Sequence, residues 1–206
     1  MNKITLHGII RNIQFSHICN NIEFYKADLI IPRENSNKED IITLKFKRFS
    51  CPYKENDEID IIGNLRTYSQ QFENNKSKVE LYCFTYFDSP LDNTTETKPE
   101  TYNLVELDGR ICKINSIKKT QNGKDVVDFI IANNLKNEDQ SLNCYIPVVA
   151  WGKIAKQISQ MKIGTSLNIK GVIQSREYKK KISDDDFEIR VAYEVLAKEL
   201  IEEENV

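Results

Sequence analysis

The amino-acid sequence predicts an all-β protein built from two tandem five-stranded barrels. Short runs of alternating apolar and polar residues, the period of a half-buried strand, are separated by turn residues along most of the chain. The pattern of the first half also recurs in the second half. We therefore expect a first barrel at 1–88, a linker at 89–101, a second barrel at 102–198 and an acidic tail at 199–206.

The two halves align as diverged copies of one fold. TLHGIIRNI at 5–13 matches ELDGRICKI at 106–114, an offset of 101 residues. Three further pairs keep the same order at offsets of 100, 102 and 108: 28–31 with 128–131, Phe49 with Trp151, and Gly63 with Gly171. Because the offset changes only between elements, the insertions are expected in loops of two barrels of the same topology.

The first copy contains five predicted strands and no helix. The strands are KITLHGII, EFYKADLII, IITLKFKRF, EIDIIGNLRTYS and KVELYCFTYF. The third strand alternates most regularly, with three residues expected in the core: Ile42, Leu44 and Phe46. Its outward positions form a basic face with an aromatic end: Lys45, Lys47 and Phe49. The segment that follows is short and contains Pro52, which disfavours a helix there.

The second copy contains five predicted strands, at 103–114, 125–134, 145–151, 167–178 and 187–196. On its third strand, the residues expected in the core are Ile146, Val148 and Ala150. The residues expected to face outward are Tyr145, Pro147, Val149 and Trp151. On its fifth strand, one apolar side is expected: Phe187, Ile189, Val191, Tyr193 and Val195.

A short helix is predicted between the third and fourth strands of the second copy. Ile154, Ile158 and Met161 recur at helical spacing, and Gly164 is expected to end the helix. The order strand, short helix, strand and basic hairpin is typical of the central part of an OB-fold barrel. This fold binds single strands or oligosaccharides on one face. The predicted fold class is therefore two tandem OB-fold barrels, the second with a helix.

These residues also resemble a known family. The run IPVVAWGKIA at 146–155, followed by KGVIQSREY at 170–178, is similar to the signature of bacterial single-stranded DNA-binding proteins, here in a tandem OB-fold form. The resemblance implies that Tyr145, Trp151 and Tyr178 stack on bases. It also implies single-stranded DNA binding in replication, recombination or DNA transfer, and a homodimer of two-barrel chains.

A binder of single strands needs flat aromatic side chains within a groove that lysines and arginines follow. The net charge of the chain is −2, but residues 103–198 hold 16 Lys and Arg against 12 Asp and Glu, about +4. The aromatic candidates are Tyr145, Trp151, Tyr178, Phe49 and Tyr68. The cationic candidates are Arg176, Lys179, Lys180, Arg110, Lys118, Lys119, Lys45 and Lys47.

The sequence offers little for catalysis, cofactors or metals. It has no phosphate-binding loop, metalloprotease or nucleophile-elbow motif, and of its two histidines, His7 is expected to be an exposed surface residue. The five cysteines form no close pair, and the carboxylates of Asp184, Asp185 and Asp186 are expected to point apart. No apolar run approaches the roughly 20 residues of a membrane span. We expect a cytoplasmic, non-enzymatic protein without cofactor, metal or membrane partner.

Two other functions remain open at this point. One is a protein-interaction module of a replication or mobile-element complex, which the near-neutral charge favours. The other is an RNA-binding barrel pair, because base stacking does not depend on the sugar. Recruitment of replication or recombination proteins by the acidic tail also stays open, since ELIEEENV has no aromatic tip.

Overall fold

The computed structural model describes residues 1–33, 36–48, 53–71, 77–85, 102–136, 141–182 and 186–201. In this part of the chain the first half contains five strands: β1 (Asn2–Cys19), β2 (Ile22–Pro32), β3 (Glu39–Lys47), β4 (Glu58–Gln71) and β5 (Ser77–Thr85). The second half contains six strands and one helix: β6 (Asn103–Ile114), β7 (Lys118–Lys119), β8 (Asp125–Lys136), β9 (Ser141–Trp151), α1 (Gly152–Ser159), β10 (Ser166–Lys181) and β11 (Phe187–Ile201).

Each half closes into a five-stranded ring. In the first, the pairing order is β1, β2, β3, β5, β4 and back to β1, and only the β3–β5 pair is parallel. In the second, it is β6, β8, β9, β11, β10 and back to β6, and only the β9–β11 pair is parallel. The two rings have the same topology, and the prediction of two tandem OB-fold barrels is confirmed.

The alternation along the third strand of each copy correctly predicts the core. All six residues expected to face inward are buried: Ile42, Leu44, Phe46, Ile146, Val148 and Ala150. Val149 was expected to face outward, and this prediction is wrong because the residue is buried. It lies in the middle of the barrel wall, paired with Asp128 on one side and Leu196 on the other.

Helix α1 lies between β9 and β10 of the second barrel, as predicted. Its Ala155 and Ile158 are buried, and Ile154 and Met161 pack against the core. The helix ends at Ser159, five residues before Gly164, which lies in the following loop with a φ of 93°. Within the described ranges, no helix is long and apolar enough to cross a membrane.

Strands β10 and β11 extend beyond the second barrel as a two-stranded arm, which we define as 176–181 and 187–192. Sequence alternation placed Phe187, Ile189 and Val191 on an apolar side, but all three are exposed. They share a face with the buried Val195, so the alternation is right, but the barrel does not extend far enough to cover them.

Strands β1 and β2 extend in the same way as a hairpin, which we define as 14–25. The sequence predicted that the first strand ends at Ile10, whereas β1 continues to Cys19. Asn20 and Asn21 both have positive φ, 49° and 59°, the backbone that a tight two-residue hairpin turn requires. The asparagine pair is the sequence signal for this hairpin, and alternation alone does not reveal it.

Strand pairing supports the repeat alignment at the first and fourth strands of each copy. In the first barrel, Ile4 pairs with Gly63. In the second barrel, the equivalent residues Val105 (offset 101) and Gly171 (offset 108) pair in the same way. A Cβ atom on Gly8 would meet the carbonyl oxygen of Ile30, and one on Gly109 would meet that of Ala132 at 2.5 Å. In both copies glycine is needed because a neighbouring strand crosses too closely for a side chain.

Two parts of the alignment are wrong: 28–31 with 128–131, and Phe49 with Trp151. Ile9 pairs with Ile30, and the residue equivalent to Ile9, Arg110, pairs with Ala132, so the offset on the second strand is 102 and not 100. Phe24 pairs with Lys47, and the equivalent residue of β8, Val126, pairs with Trp151. The offset on the third strand is therefore 104, and the residue equivalent to Trp151 is Lys47. A slip of two residues preserves which side chains face the core, so the hydrophobic pattern could not reveal it. Phe49 itself lies outside the described residues.

The two barrels are joined through their first strands. β1 and β6 pair antiparallel, and the central pair consists of the equivalent residues Ile4 and Val105. Equivalent residues also meet across the two barrels: the amide of Ile41 donates to Ser175 Oγ at 3.1 Å, and the amide of Tyr145 donates to Thr67 Oγ1 at 3.0 Å. The two halves of the chain are thus related by an approximate two-fold axis.

Candidate nucleic-acid interface

The outer face of the second barrel opens into a groove of about 1140 Å³ beneath the arm. Its floor includes Asp128, Ile130 and Pro147 of β8 and β9. Tyr178 and Arg190 are among the arm residues that line its wall. β3 and β5 of the first barrel complete the opposite side, so the groove lies between the two halves of the chain.

The three rings that the resemblance assigned to base stacking are all accessible. Tyr145 and Trp151 lie on the outer face of β9 and are 52% and 41% exposed, and Tyr178 on the arm is 37% exposed. Six residues of strand separate the first two rings, a span of roughly 20 Å. Of these three rings, Tyr178 lines the groove, whereas Tyr145 and Trp151 lie on the outer face of the barrel outside the groove lining.

The cationic candidates of the second barrel divide by position. Arg176 and Lys180 line the groove together with Tyr178. Lys179 pairs with Ile189 and lies on the opposite face of the arm, outside the groove. The exposed Lys118 pairs with Val126, which in turn pairs with Trp151, so this lysine lies two strands from the tryptophan.

Two further candidates lie near the edges of the outer face. Lys119 follows Lys118 on the short strand β7 and is also exposed. Arg110 lies on β6, where its Nη1 donates a hydrogen bond to the carbonyl oxygen of Gly164 at 3.1 Å. This contact holds the guanidinium near the loop that follows α1, and Arg110 is not among the groove-lining residues.

The groove is not uniformly basic. Glu194 lies 3.4 Å from Arg176 and accepts a hydrogen bond from Gln174 Nε2 at 2.9 Å. Glu188 lies 2.5 Å from Arg190. The groove-lining residues with ionisable acidic or basic side chains, tyrosine aside, are Lys113, Arg176, Lys180, Lys181, Arg190, Glu80, Asp128, Glu188 and Glu194. These carboxylates therefore neutralise part of the positive charge of the groove before any ligand binds.

The sequence-based candidates omitted Lys113 and Arg190. Arg190 pairs directly with Tyr178 across the arm and is on the same face. The alternation of FEIRVAYEVL would have identified it, because the residues between the apolar positions must face outward. Lys113 follows a bulge in β6, between Ile111 and Lys113, where simple alternation does not apply.

The candidates of the first barrel lie in different surroundings. Lys45 Nζ lies 3.6 Å from Glu80 and 4.1 Å from the centre of the Tyr82 ring, so its charge already has partners on the outer face of the first barrel. Tyr68 is exposed on β4, at the position equivalent to Arg176. Lys47 holds the position equivalent to Trp151.

His7 was expected to be an exposed surface residue, and this prediction is wrong. Its side chain is 16% exposed, with Nδ1 2.7 Å from Asp60 and Nε2 2.9 Å from Glu58. The hydroxyl of Tyr102 also donates to Asp60, at 2.6 Å. Burial lowers the pKa of His7, but the hydrogen bonds and charges of Asp60 and Glu58 outweigh it and raise the pKa above its ordinary value.

The cysteines with described positions are not paired. Cys19 is exposed, and Cys83, Cys112 and Cys144 are buried or partly buried free thiols. Burial raises the pKa of Cys83 to about 12, which keeps it an unreactive thiol. No group of three or more His, Cys, Asp or Glu side chains placed to hold a metal occurs in the described ranges, which omit Asp184 and Asp185.

The fold and the groove define an OB-fold protein whose surface suits an extended single strand of nucleic acid. The model of the single-strand binding protein family matches residues 102–200. The chain is 34% identical over 102 residues to "Single-stranded DNA-binding protein 3" of Clostridium acetobutylicum, a match that covers 48% of this chain and 68% of that protein. The chain therefore belongs to the single-strand binding protein family.

Solved structures extend the likeness to both barrels. The chain superimposes on the wild-type single-stranded DNA-binding protein from Thermus aquaticus with a TM-score of 0.67 and 18% identity, covering 98% of this chain and 92% of that one. A deletion mutant of the same protein gives a TM-score of 0.70 at 18% identity, covering 98% and 93%. At this level of identity the likeness establishes the shared two-barrel fold.

Proposed function

We propose that this protein binds single-stranded DNA without strong sequence preference, along the outer face of the second barrel and the groove beside it. The observation that carries the proposal is the exposure of Tyr145, Trp151 and Tyr178 on one outer face of an OB-fold barrel. Membership of the single-strand binding protein family supports the same ligand. Every base has a flat face, so stacking on these rings does not distinguish sequences.

Each part of this surface matches a part of the ligand. The rings offer surfaces for bases, while Arg176, Lys180 and Arg190 lie where phosphates of a strand in the groove would pass. Lys118 and Lys119 extend the basic surface beyond Trp151. Binding is expected to weaken with salt, because phosphate contacts release counterions.

Trp151 is the single tryptophan of the chain, so its fluorescence reports on this site. We expect oligo-dT to quench this fluorescence, and the apparent affinity to fall as salt rises. Trp151→Ala, Tyr145→Ala and Tyr178→Ala are each expected to weaken binding of labelled oligo-dT by roughly 1 to 3 kcal/mol in anisotropy titrations.

Phe15→Ala is the matched control, because Phe15 is an exposed aromatic on the hairpin of the first barrel, away from the outer face and the arm of the second. It should leave the affinity unchanged. Full affinity in all three ring variants would contradict the assignment of the rings. A lack of binding by the unaltered protein would contradict the function itself and favour a protein-interaction module.

The choice of nucleic acid and the assembly need their own tests. Competition between DNA and RNA oligomers of equal length is expected to favour DNA, and equal competition would support an RNA-binding barrel pair. We propose a homodimer of two-barrel chains, and sedimentation equilibrium measures this directly. We also propose a role in replication or recombination. The proposed function involves no catalysed reaction.

A further inference from the structure

The hairpin of the first barrel carries a ring stack that the function described above does not use. The rings of His17 on β1 and Phe24 on β2 lie with centroids 4.9 Å apart and planes 5° apart. The two residues are direct partners in the β1–β2 register. His17 is exposed and Phe24 is partly exposed, so the stack lies at the surface.

The strand register places this stack on the outer face of the barrel. Phe24 pairs with Lys47, and Lys26 pairs with Lys45. These positions alternate with the buried residues of β3, Leu44 and Phe46, so they point away from the core. We call His17, Phe24, Lys26 and Lys47 the hairpin platform. It combines two flat rings with two lysines, the composition that single-strand binding surfaces use.

The platform occupies the equivalent of the Trp151 site of the second barrel. There the cross-strand pair is Val126 with Trp151, and in the first barrel it is Phe24 with Lys47. The aromatic residue has moved to the adjacent strand, a shift of about 4.8 Å, and a lysine has taken its place. Asking only which residue of the first barrel is equivalent to Trp151 would not reveal this exchange of positions.

The outward stack is separate from the aromatic contacts on the inner face of the hairpin. The inner face already has its own aromatic contacts: Phe15 with Tyr25 at 5.9 Å, and Tyr25 with the buried Phe46 at 6.3 Å. The outward stack contacts the barrel wall through Phe24. Phe84 lies 6.4 Å from Phe24, and the guanidinium of Arg66 lies 3.8 Å over the Phe84 ring.

We propose that the hairpin platform is a second base-stacking site for single-stranded DNA, on the first barrel. It rests on the proposed function of the groove and extends it. A strand long enough to reach both barrels would stack a base on the His17–Phe24 pair, with its phosphates near Lys26 and Lys47. A strand that fills only the groove of the second barrel would not reach it.

The test compares two lengths of oligo-dT, since one OB barrel covers roughly 4–16 nucleotides. Binding of an oligomer of about 8 nucleotides is followed by Trp151 quenching, and binding of one of about 30 nucleotides by anisotropy of an end label. In the double variant His17→Ala, Phe24→Ala, the affinity for the long oligomer should fall about tenfold, as for one lost stack. Quenching by the short oligomer should not change.

Two further variants separate stacking from folding. Phe24→Leu keeps an apolar side chain against Phe84 but removes the flat ring, and it should also weaken binding of the long oligomer. Phe15→Ala removes an exposed ring from the other face of the same hairpin and should have no effect.

The outcomes distinguish this proposal from the one on which it rests. The platform is overturned if the long oligomer binds the double variant or Phe24→Leu as well as it binds the unaltered protein. It is also overturned if both lengths weaken equally, or if Phe15→Ala has the same effect. If the unaltered protein binds neither oligomer, the proposed function of the groove fails instead.

Discussion

Glu194 competes with the proposed ligand for a cation of the groove. Its carboxylate lies beside Arg176 and accepts a hydrogen bond from Gln174, and the residue is almost buried. A phosphate that approaches Arg176 must replace this carboxylate as the partner of the guanidinium. Glu194 therefore lowers the affinity of the groove for nucleic acid while it stabilises the empty groove.

Glu194→Gln is expected to tighten binding of oligo-dT about fivefold at low salt, roughly 1 kcal/mol. The amide keeps an oxygen acceptor for Gln174 but frees the charge of Arg176 for a phosphate. The slope of log affinity against log salt should become steeper by about 0.7, the value for one extra phosphate contact of a single strand. Anisotropy titrations at several salt concentrations measure both quantities.

Glu199→Gln is the matched control for this substitution. It removes the same charge from the same strand, and Glu199 pairs with Lys170 at the other end of β11, away from the groove. A similar gain in affinity in both variants would show that net charge, and not the contact with Arg176, is responsible.

Residue-level prediction from the sequence worked where a side chain depends on its own strand. The exposure of Tyr145 and Trp151 follows from a period of two residues along β9, although Val149, in the same phase, is buried. The surroundings of His7 and Glu194 could not be predicted in this way. Asp60 lies 53 residues from His7 in the chain, and strand register alone brings their side chains together.

At the scale of elements, the sequence predicted strand identity better than strand length or register. β3 and β9 alternate clearly, and their cores were correctly identified. The extension of β1 to Cys19 and of β10 to Lys181 was not fully predicted, because a hairpin beyond a barrel has no buried face to impose alternation. The two-residue error that aligned Phe49, and not Lys47, with Trp151 could not be detected because it leaves the alternation intact.

The His7 cluster ties three elements together at the edge of the first barrel. His7 lies on β1, and Glu58 and Asp60 lie on β4. Tyr102, just before β6, donates its hydroxyl to Asp60, and its carbonyl accepts a hydrogen bond from the His7 amide at 2.9 Å. The cluster thus couples the start of the second barrel to the wall of the first.

This cluster predicts a dependence of stability on pH. Because the pKa of His7 is raised in the folded protein, its stabilising effect is complete below the ordinary histidine value of 6.5. The effect is lost as pH rises through the higher folded value. Urea unfolding at about pH 5.5 and about pH 8.5 should therefore show a contribution from His7 only at the lower pH.

His7→Gln should remove this part of the pH dependence, whereas His17→Gln, at the other histidine, should retain it. Unaltered pH dependence in His7→Gln would mean that the ion pairs with Asp60 and Glu58 do not contribute to stability. The pair of variants also controls for the loss of a histidine as such.

At the scale of the whole molecule, a polar contact holds the two barrels together away from the β1–β6 strand pair. Asp40 is buried and accepts hydrogen bonds from Arg33 Nη2 at 2.7 Å and from the Ser175 amide at 2.6 Å. Arg33 also donates to the Ser175 carbonyl. The contact joins β3 of the first barrel to β10 of the second.

Asp40→Ala is expected to destabilise the protein by roughly 1.5 to 3 kcal/mol, since it removes a charged acceptor from Arg33 and from the Ser175 amide. It should also weaken the coupling between the barrels, so that one cooperative unfolding transition becomes two. Calorimetry and urea unfolding measure these effects. Glu39→Ala, at the exposed neighbouring residue, should preserve a single transition, and a single transition in Asp40→Ala would argue against this coupling role.

The symmetric meeting of β1 and β6 about Ile4 and Val105 has a consequence for how such a chain can evolve. When two identical subunits meet in this way, every mutation appears on both sides at once. Within one polypeptide, each side mutates alone. Exchanges such as Phe24 and Lys47 for Val126 and Trp151 therefore become accessible, and a single gene can specialise its two halves for different tasks.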